Sequence, residues 1–174
     1  MVGLGEISLW RKVLSGVTRI CFVCLGNIVR SPLGENMFRY LAQQAGVGER
    51  YEVDSAGTGA WHVGESPDRR MQQVAARRGF RYDGRARQFQ QSDFDEFDLI
   101  IAMDTENRAN LRRLARTSED EAKIHLMRAF DPYGGPRAAV PDPYYGGIDG
   151  FEEVYDIVER SCQGLLAALE NGEL

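Results

Sequence analysis

The fold of this chain is decided by one stretch near its N-terminus, Ile20-Cys21-Phe22-Val23-Cys24-Leu25-Gly26-Asn27-Ile28-Val29-Arg30-Ser31-Pro32. Its first four residues form an apolar run that is typical of a buried strand, and Pro32 suits the first turn of a helix. Between them lies a short loop in which Gly26 and Asn27 can both take a positive φ. We therefore predict a strand, a tight loop and a helix within this stretch.

Cys24 and Arg30 stand at the two ends of this loop. The loop can curl so that its backbone N–H groups and the positive end of the helix face one point, which creates a site for an anion. Arg30 adds a planar fork that matches two phosphate oxygens, and the positive field favours the reactive thiolate form of Cys24. The arrangement predicts nucleophilic attack on phosphorus. The alternative is a strand–turn–helix corner that holds a buried free cysteine.

Candidate strands and helices alternate along the chain. The strands cover residues 19–23, 51–55, 99–103 and 123–126, and the helices cover residues 32–45, 66–79, 105–115 and 150–169. Ser66 is the expected N-cap of the second helix. The alternation predicts an α/β fold with a parallel sheet covered by helices on both faces. Ligands bind at the carboxyl ends of the strands in such sheets, which is where Cys24 falls.

The composition restricts the class of protein. The chain has 174 residues and a net charge of −5, which argues against a dedicated nucleic-acid binder. We expect no membrane association, because no apolar run reaches the roughly 20 residues that a span requires. Residues 1–16 lack a signal-peptide pattern, so we expect a cytoplasmic protein in which this N-terminal extension precedes a single domain, residues 17–174.

The three cysteines, Cys21, Cys24 and Cys162, do not suggest a disulfide framework. Cys21 and Cys24 have the spacing of a redox or metal-binding pair. On a strand, however, they point to opposite faces, and no second Cys/His pair completes a zinc site. We interpret Cys21 as a core residue and expect no metal.

A second chemical element lies near the C-terminal helix. Attack on a phosphomonoester expels an alkoxide or phenoxide, which a carboxylic acid must protonate. Asp142 is the candidate acid, since two prolines stiffen the backbone around it and Tyr144 and Tyr145 follow as possible walls of a pocket. The alternative for this segment is an ordinary surface turn.

Over residues 19–169 the chain resembles the low-molecular-weight protein tyrosine phosphatases, and its sequence motifs are closest to those of the bacterial members. The matching segments, besides the loop from Cys24 to Pro32, are Asp54-Ser55-Ala56-Gly57-Thr58, Pro67-Asp68-Arg69-Arg70, Arg85-Ala86-Arg87-Gln88, Phe97-Asp98-Leu99-Ile100-Ile101-Ala102-Met103-Asp104 and Asp142-Pro143-Tyr144-Tyr145. The resemblance implies a four-stranded parallel sheet in the order 2-1-3-4, flanked by helices. It also implies a phosphotyrosine-protein phosphatase that uses a phosphocysteine intermediate and no cofactor. Its partners would be tyrosine-phosphorylated proteins, with inorganic phosphate as product and inhibitor.

The resemblance also implies roles for individual residues. Cys24 would be the nucleophile, Arg30 would clamp the phosphate, and Asp142 would act as general acid and then as general base. Ser55 and Asp104 would support the loop, together with Asn27 and Ser31. The residues expected to contact the substrate come from the loop and from an aromatic slot: Leu25, Gly26, Asn27, Ile28, Val29, Ser31, Trp61, Tyr144 and Tyr145.

Two positions depart from the family pattern. Val29 stands where many members carry a second cysteine, so we expect peroxide to oxidise Cys24 without easy rescue by thiols. Gly84 stands where many animal members have a histidine that supports the loop, which leaves the hydrogen-bond network of this chain open.

Three other functions compete with a phosphatase. An arsenate reductase of the same fold would need relay cysteines, for which Cys162 is the only candidate. A phosphate-binding module without catalysis would need neither Cys24 nor Asp142. A Cys–His protease that uses His62, which we expect at the rim of the site, would leave Arg30 unexplained.

Overall fold

The computed structural model describes residues 16–174. The expected extension therefore lies outside the described residues, apart from its last position. The strands are β1 (Thr18–Cys24), β2 (Tyr51–Gly57), β3 (Leu99–Ala102) and β4 (Ile124–Leu126). The helices are α1 (Arg30–Gln44), α2 (Arg69–Arg77), α3 (Asp93–Glu96), α4 (Thr105–Leu114), α5 (Ser118–Ala122) and α6 (Ile148–Glu170). Two 3₁₀ turns cover Gly48–Arg50 and Met127–Ala129.

The four strands form one parallel sheet in the order β2-β1-β3-β4, as the resemblance implied. β1 pairs with β2 from Thr18↔Tyr51 to Cys24↔Gly57, and with β3 from Ile20↔Leu99 onward. Side chains of the central strands are removed from water on both faces, which explains their unbroken apolar runs.

Each face of the sheet packs on its own apolar core. α1, α2 and α6 cover one face, where Phe22, Phe38 and Phe151 are fully buried. α3 and α4 cover the other face, where Phe94 and Leu111 pack against the sheet. The helices therefore lie on both sides, and the predicted α/β architecture is confirmed.

Three predicted helix starts were wrong. α6 begins at Ile148, two residues before the predicted start, with Gly147 as its N-cap and Asp149 in its first turn. α1 begins at Arg30, so Pro32 is its third residue; its missing N–H costs nothing there, because the first N–H groups of a helix have no partner within it. α2 begins after Asp68, whose carboxylate caps the N–H of Arg70, whereas Ser66 accepts a hydrogen bond from Arg85. The backbone N–H of Asp68 donates to Ile28 of the loop (2.7 Å), which holds it outside the helix.

The sheet order places the loop after β1 at a reversal point. The chain passes from β1 to β2 on one side and then to β3 on the other, so a crevice opens at the carboxyl end of β1. Among residues 16–174, none of the helices combines the length and the apolar character of a membrane span.

Candidate active site

A cavity of about 450 Å³ opens at the carboxyl end of β1. The loop after β1, the segment that follows β2 and the segment before α6 all contribute walls. Its lining residues are Cys24, Leu25, Gly26, Ile28, Val29, Arg30, Trp61, His62, Asp142, Tyr144 and Tyr145. The cavity thus brings together side chains that lie more than a hundred residues apart in the sequence.

The loop from Cys24 to Arg30 is held close to the end of β2. Asn27 has a φ of 55°, and it is the non-glycine residue with positive φ in the described part of the chain, whereas Gly26 does not use that region. A Cβ atom on Gly57 would lie 2.7 Å from the carbonyl oxygen of Leu25 and 3.1 Å from the nitrogen of Asn27. A glycine at the end of β2 therefore allows the loop to pack against this strand.

Cys24 lies at the floor of the cavity and is 3% exposed. Its Sγ is 3.0 Å from Oγ of Ser31 and accepts a hydrogen bond from the backbone N–H of Asn27 at 3.3 Å. Hydrogen bonds of this kind stabilise a thiolate more than a thiol, and the thiolate is the nucleophilic form.

Arg30 is a buried cation whose guanidinium is held by acidic and carbonyl oxygens. Nη1 donates to Asp104 (2.6 Å) and to the carbonyl of Val140 (3.0 Å), and Nη2 approaches Asp142 at 3.4 Å. Burial disfavours its charge, but Cys24 and Asp104 outweigh that effect, so the pKa of Arg30 is raised above its ordinary value. The two short hydrogen bonds hold Nη1, whereas Nη2 has only the long contact with Asp142 and can bind an anion instead.

Asp142 lies at the mouth of the cavity with 44% of its side chain exposed. Its Oδ1 accepts the backbone N–H of Tyr144 at 3.1 Å, and its Oδ2 is the atom near Arg30. One carboxylate oxygen therefore fixes the turn, and the other faces the site. The prolines on either side limit the backbone conformations of this segment.

Asn27 and Ser31 lie behind the loop rather than along the cavity wall. Nδ2 of Asn27 donates to Oγ of Ser31 and to Oγ of Ser55, both at 2.9 Å. Oδ1 of Asn27 accepts the backbone N–H of Arg87 at 2.9 Å, and Ser55 donates to Glu35 at 2.6 Å. Ser55 was expected to support the loop, whereas Arg87 and Glu35 were not identified as part of this network from the sequence. The segment around Arg87 matched the family, but nothing in its residue types pointed to the loop.

Aromatic side chains form the outer walls. Trp61 is 73% exposed and Tyr145 is 97% exposed, and the Tyr144 and Tyr145 rings meet edge to face with centroids 5.0 Å apart. The Trp61 ring lies against Gly59, where a Cβ atom would be 1.8 Å from it. His62 packs over Gly26 and pairs with Glu65 at 2.9 Å. The cavity therefore has a polar floor and an apolar rim.

The two departures from the family pattern have different surroundings. Val29 lines the cavity and is 4% exposed, while Gly84 faces open space. Cys21 belongs to the core on the opposite face of the sheet from Cys24, as predicted. Burial raises the pKa of the Cys21 and Cys162 thiols, which disfavours either as a reactive relay to the cavity.

Comparisons with known proteins agree with this geometry. The family model for low molecular weight phosphotyrosine protein phosphatases matches residues 19–173. A low molecular weight protein-tyrosine-phosphatase of Streptomyces coelicolor is 53% identical, with 87% of this chain and 93% of that protein covered.

Solved structures give the same result. A protein tyrosine phosphatase from Entamoeba histolytica superposes with a TM-score of 0.86 at 41% identity, with 90% of this chain and 99% of that chain covered. A Drosophila arginine phosphatase superposes with a TM-score of 0.79 at 31% identity, covering 87% and 97%. These findings support the predicted phosphatase and not the arsenate reductase. The chain belongs to the low molecular weight phosphotyrosine protein phosphatases, a family of metal-independent hydrolases.

Proposed function

We propose that this protein hydrolyses phosphotyrosine in proteins through a phosphocysteine formed on Cys24. The observation that carries the proposal is the convergence of Cys24, Arg30 and Asp142 on one cavity. A module that only binds phosphate needs the arginine but neither a thiolate nor an acid. The three residues together supply the nucleophile, the anion clamp and the proton donor that phosphomonoester hydrolysis requires.

The first step transfers the phosphoryl group to sulfur. The Cys24 thiolate attacks phosphorus, an S–P bond forms, and the bond from phosphorus to the phenolic oxygen breaks. The carboxylic acid form of Asp142 gives its proton to that oxygen, so a neutral phenol leaves. The exposure of Asp142 at the cavity mouth is consistent with this role.

The second step returns the enzyme to its starting state. The Asp142 carboxylate takes a proton from a water molecule, the water oxygen attacks phosphorus, and the S–P bond breaks. Inorganic phosphate and the Cys24 thiolate are released. Because phosphate fits the same anion site, we expect it to act as a product inhibitor.

Arg30 binds the phosphate oxygens in both steps. Asp104 and Val140 anchor Nη1 at 2.6 and 3.0 Å, so Nη2 can exchange its long 3.4 Å contact with Asp142 for a phosphate oxygen. This exchange frees the Asp142 carboxyl group for proton transfer. It also places a fixed positive charge where the transition state accumulates negative charge.

The apolar rim favours an aryl phosphate as substrate. Leu25, Trp61, Tyr144 and Tyr145 offer faces on which a phenyl ring can stack. The fold alone does not decide this point, since one structural neighbour is named an arginine phosphatase. A phosphoarginine would place a polar guanidino group against these apolar walls. Among the lining residues, Asp142 alone has a carboxylate that could pair with that group. We therefore expect phosphotyrosine peptides to be preferred.

Substrate comparison and two variants test the proposal. We expect metal-free turnover of p-nitrophenyl phosphate and of phosphotyrosine peptides, and little turnover of phosphoarginine peptides. Cys24→Ser should abolish turnover and still bind phosphate. Asp142→Ala should lose about 100-fold with phosphotyrosine and much less with p-nitrophenyl phosphate, whose leaving group needs little protonation. Turnover that survives in Cys24→Ser would refute the mechanism.

We also propose residues 17–174 as a single phosphatase domain that residues 1–16 precede, because the family match begins at residue 19. A reducing compartment such as the cytoplasm suits a protein whose described cysteines are all free and whose nucleophile is a thiolate. Limited proteolysis that removes residues 1–16 without loss of p-nitrophenyl phosphate turnover would support this division.

A further inference from the structure

A chain of hydrogen bonds leads from Cys24 to a carboxylate outside the cavity. Ser31 contacts the sulfur at 3.0 Å, and Asn27 donates to Ser31 and to Ser55, each at 2.9 Å. Ser55 then donates to Oε2 of Glu35 at 2.6 Å. Glu35 lies one turn into α1, on the side that faces β2, and does not line the cavity.

The carboxylate of Glu35 and the backbone N–H of Arg87 fix the direction of the hydrogen bonds between Glu35 and Ser31. A carboxylate only accepts, so Ser55 must give its single proton to Glu35 and must accept from Asn27. At the other end, the backbone N–H of Arg87 only donates, so Oδ1 of Asn27 must face it and Nδ2 must face the two serines.

Ser31 is thereby left free to donate toward the sulfur. Its oxygen already accepts from Asn27, and its proton can go to Cys24 at 3.0 Å or to the carbonyl of Ala56 at 3.3 Å. A charged acceptor wins such a choice, because charge-assisted hydrogen bonds are stronger than neutral ones. Glu35 supports this arrangement from the other end of the network. Because Ser55 gives its proton to Glu35, it accepts from Asn27, and Nδ2 of Asn27 stays turned toward both serines.

Arg39 holds Glu35 in place. Its Nη2 donates to Oε1 of Glu35 at 2.7 Å and to the carbonyl of Val53 at 2.9 Å, which ties the carboxylate to β2. This pair supplies a charged terminus for the network.

We propose that Glu35, held by Arg39, is a positioning residue that sets the direction of the hydrogen bonds reaching Cys24 and so favours the thiolate. The proposal rests on the proposed function, in which Cys24 is the nucleophile. The charged groups that face Cys24 are Arg30 of α1 and, in contact with it, Asp104 and Asp142. Around Glu35, α1 contributes Arg39, β2 contributes Ser55, and the thiol of Cys21 on β1 senses its charge.

Glu35→Gln tests the direction of the network with little change in shape. The carboxylate presents Oε1 to Arg39 and Oε2 to Ser55, whereas an amide puts an NH₂ group at one of these two positions and so loses one acceptor. We expect the pH midpoint for alkylation of Cys24 by iodoacetamide to rise by about 0.5–1 unit. kcat/KM for p-nitrophenyl phosphate should fall about three- to tenfold below that midpoint and recover above it. Arg39→Met, which keeps the carboxylate but removes its clamp, should shift the midpoint in the same direction by less.

Glu170→Gln is the matched control. Glu170 accepts from the hydroxyl of Tyr51 at 2.5 Å and from Arg50 at 2.7 Å, an arrangement that parallels that of Glu35 but has no connection to the loop. Its alkylation midpoint should equal that of the wild type. Peptide mapping by mass spectrometry assigns the alkylated residue, and Cys21 and Cys162 are fully buried.

The outcomes separate the two proposals. An unchanged midpoint in folded Glu35→Gln, or an equal loss of kcat/KM at every pH, overturns the positioning role. Should Glu35→Gln fail to fold, an unchanged midpoint in Arg39→Met overturns it instead. A wild-type protein that turns over no p-nitrophenyl phosphate refutes the proposed function itself, whereas normal wild-type turnover with unshifted variants refutes only the role of Glu35.

Discussion

The buried positive charge of Arg30 is stabilised by several partners together. Its side chain is 3% exposed, so its positive charge depends on Asp104 and on the dipole of the Val140 carbonyl. Removal of one partner of a buried pair leaves an uncompensated charge, which is costly. Asp104 has a second task, because its Oδ1 caps α4 at the N–H of Asn107.

Asp104→Asn separates these two tasks. Asparagine is as good an N-cap as aspartate, so α4 should keep its start. If the amide oxygen keeps the cap on Asn107, the NH₂ group takes the place of Oδ2 and cannot accept the hydrogen bond from Arg30. We therefore expect kcat/KM for p-nitrophenyl phosphate to fall about tenfold, in line with the loss of a charge-assisted hydrogen bond. Steady-state kinetics and the thermal midpoint of the same sample provide the measurement. A large drop in thermal midpoint with unchanged kcat/KM would contradict this assignment.

We expect Val29 to affect how the site responds to oxidation. The other described cysteines lie in buried positions away from the cavity, so oxidised Cys24 finds no thiol beside it. We expect mild peroxide to cause inactivation that dithiothreitol only partly reverses. Val29→Cys should restore full recovery by allowing a disulfide within the loop, and Val29→Ser should not. Complete recovery of the wild-type protein would show that Val29 has no such consequence.

At the scale of the elements, the end of β2 and the loop after β1 form one unit. Gly57 pairs with Cys24 in the sheet and also forms a bridge to Gln88, so the loop, β2 and the segment around Arg87 meet at this residue. The carbonyl of Leu25 lies where a Cβ of residue 57 would have to fit. Backbone atoms cannot yield as a flexible side chain does.

We therefore expect Gly57→Ala to displace the loop. A displacement on the order of 1 Å costs a catalytic site about 100-fold, so kcat/KM should fall by that amount. Gly84→Ala is the control, because a Cβ at Gly84 meets nothing within 4 Å. Kinetics with p-nitrophenyl phosphate compare the two variants. Equal activity of Gly57→Ala and the wild type would show that the packing of the loop on β2 does not matter.

The sequence predicted the elements better than their boundaries. The apolar runs at Ile20–Val23 and at residues 99–103 identified the two central strands, because strands buried on both faces need apolar residues at every position. The start of α2 was missed because Ser66 and Asp68 are both residue types that cap helices, and Ser66 is instead bound to Arg85 by a tertiary hydrogen bond. α3 and α5 are too short to show a periodicity.

The candidate site was also predicted only in part from the sequence. Cys24, Arg30 and Asp142 were predicted because the chemistry demands those residue types, and the structure brings them to one cavity. Glu35 and Arg87 were not predicted, since they act through contacts between elements that share no local pattern. Whether each residue has the role expected of it stays a prediction until the variants are measured.

At the scale of the whole molecule, one buried carboxylate links α6 to the segment after β4. The side chain of Asp131 is fully removed from solvent and binds Arg128 at 3.0 Å and Arg160 at 3.2 Å. Burial acts to raise the pKa of Asp131, but Arg160, the backbone N–H of Tyr133 and Arg128 outweigh it, and the pKa is lowered.

A lowered pKa in the native state makes the protein sensitive to acid. The stabilising effect of ionised Asp131 is fully present above the pKa of an unfolded aspartate, about 3.9, and is lost as the pH falls through the lower native value. We expect Asp131→Asn to be less stable than the wild type at pH 7, with a smaller difference at pH 3. Urea unfolding at the two pH values measures this. A difference that grows toward acid would contradict the sign.

Rapid acid quench of a turnover reaction, followed by mass spectrometry of the peptide that contains Cys24, shows whether the phosphoryl group passes through this cysteine. We expect a phosphoryl group on the sulfur of Cys24 during turnover of p-nitrophenyl phosphate, at a higher level in Asp142→Ala, where water is no longer activated. We expect none in Cys24→Ser. Turnover without a phosphorylated Cys24, or with phosphate on another residue, would contradict the phosphocysteine mechanism.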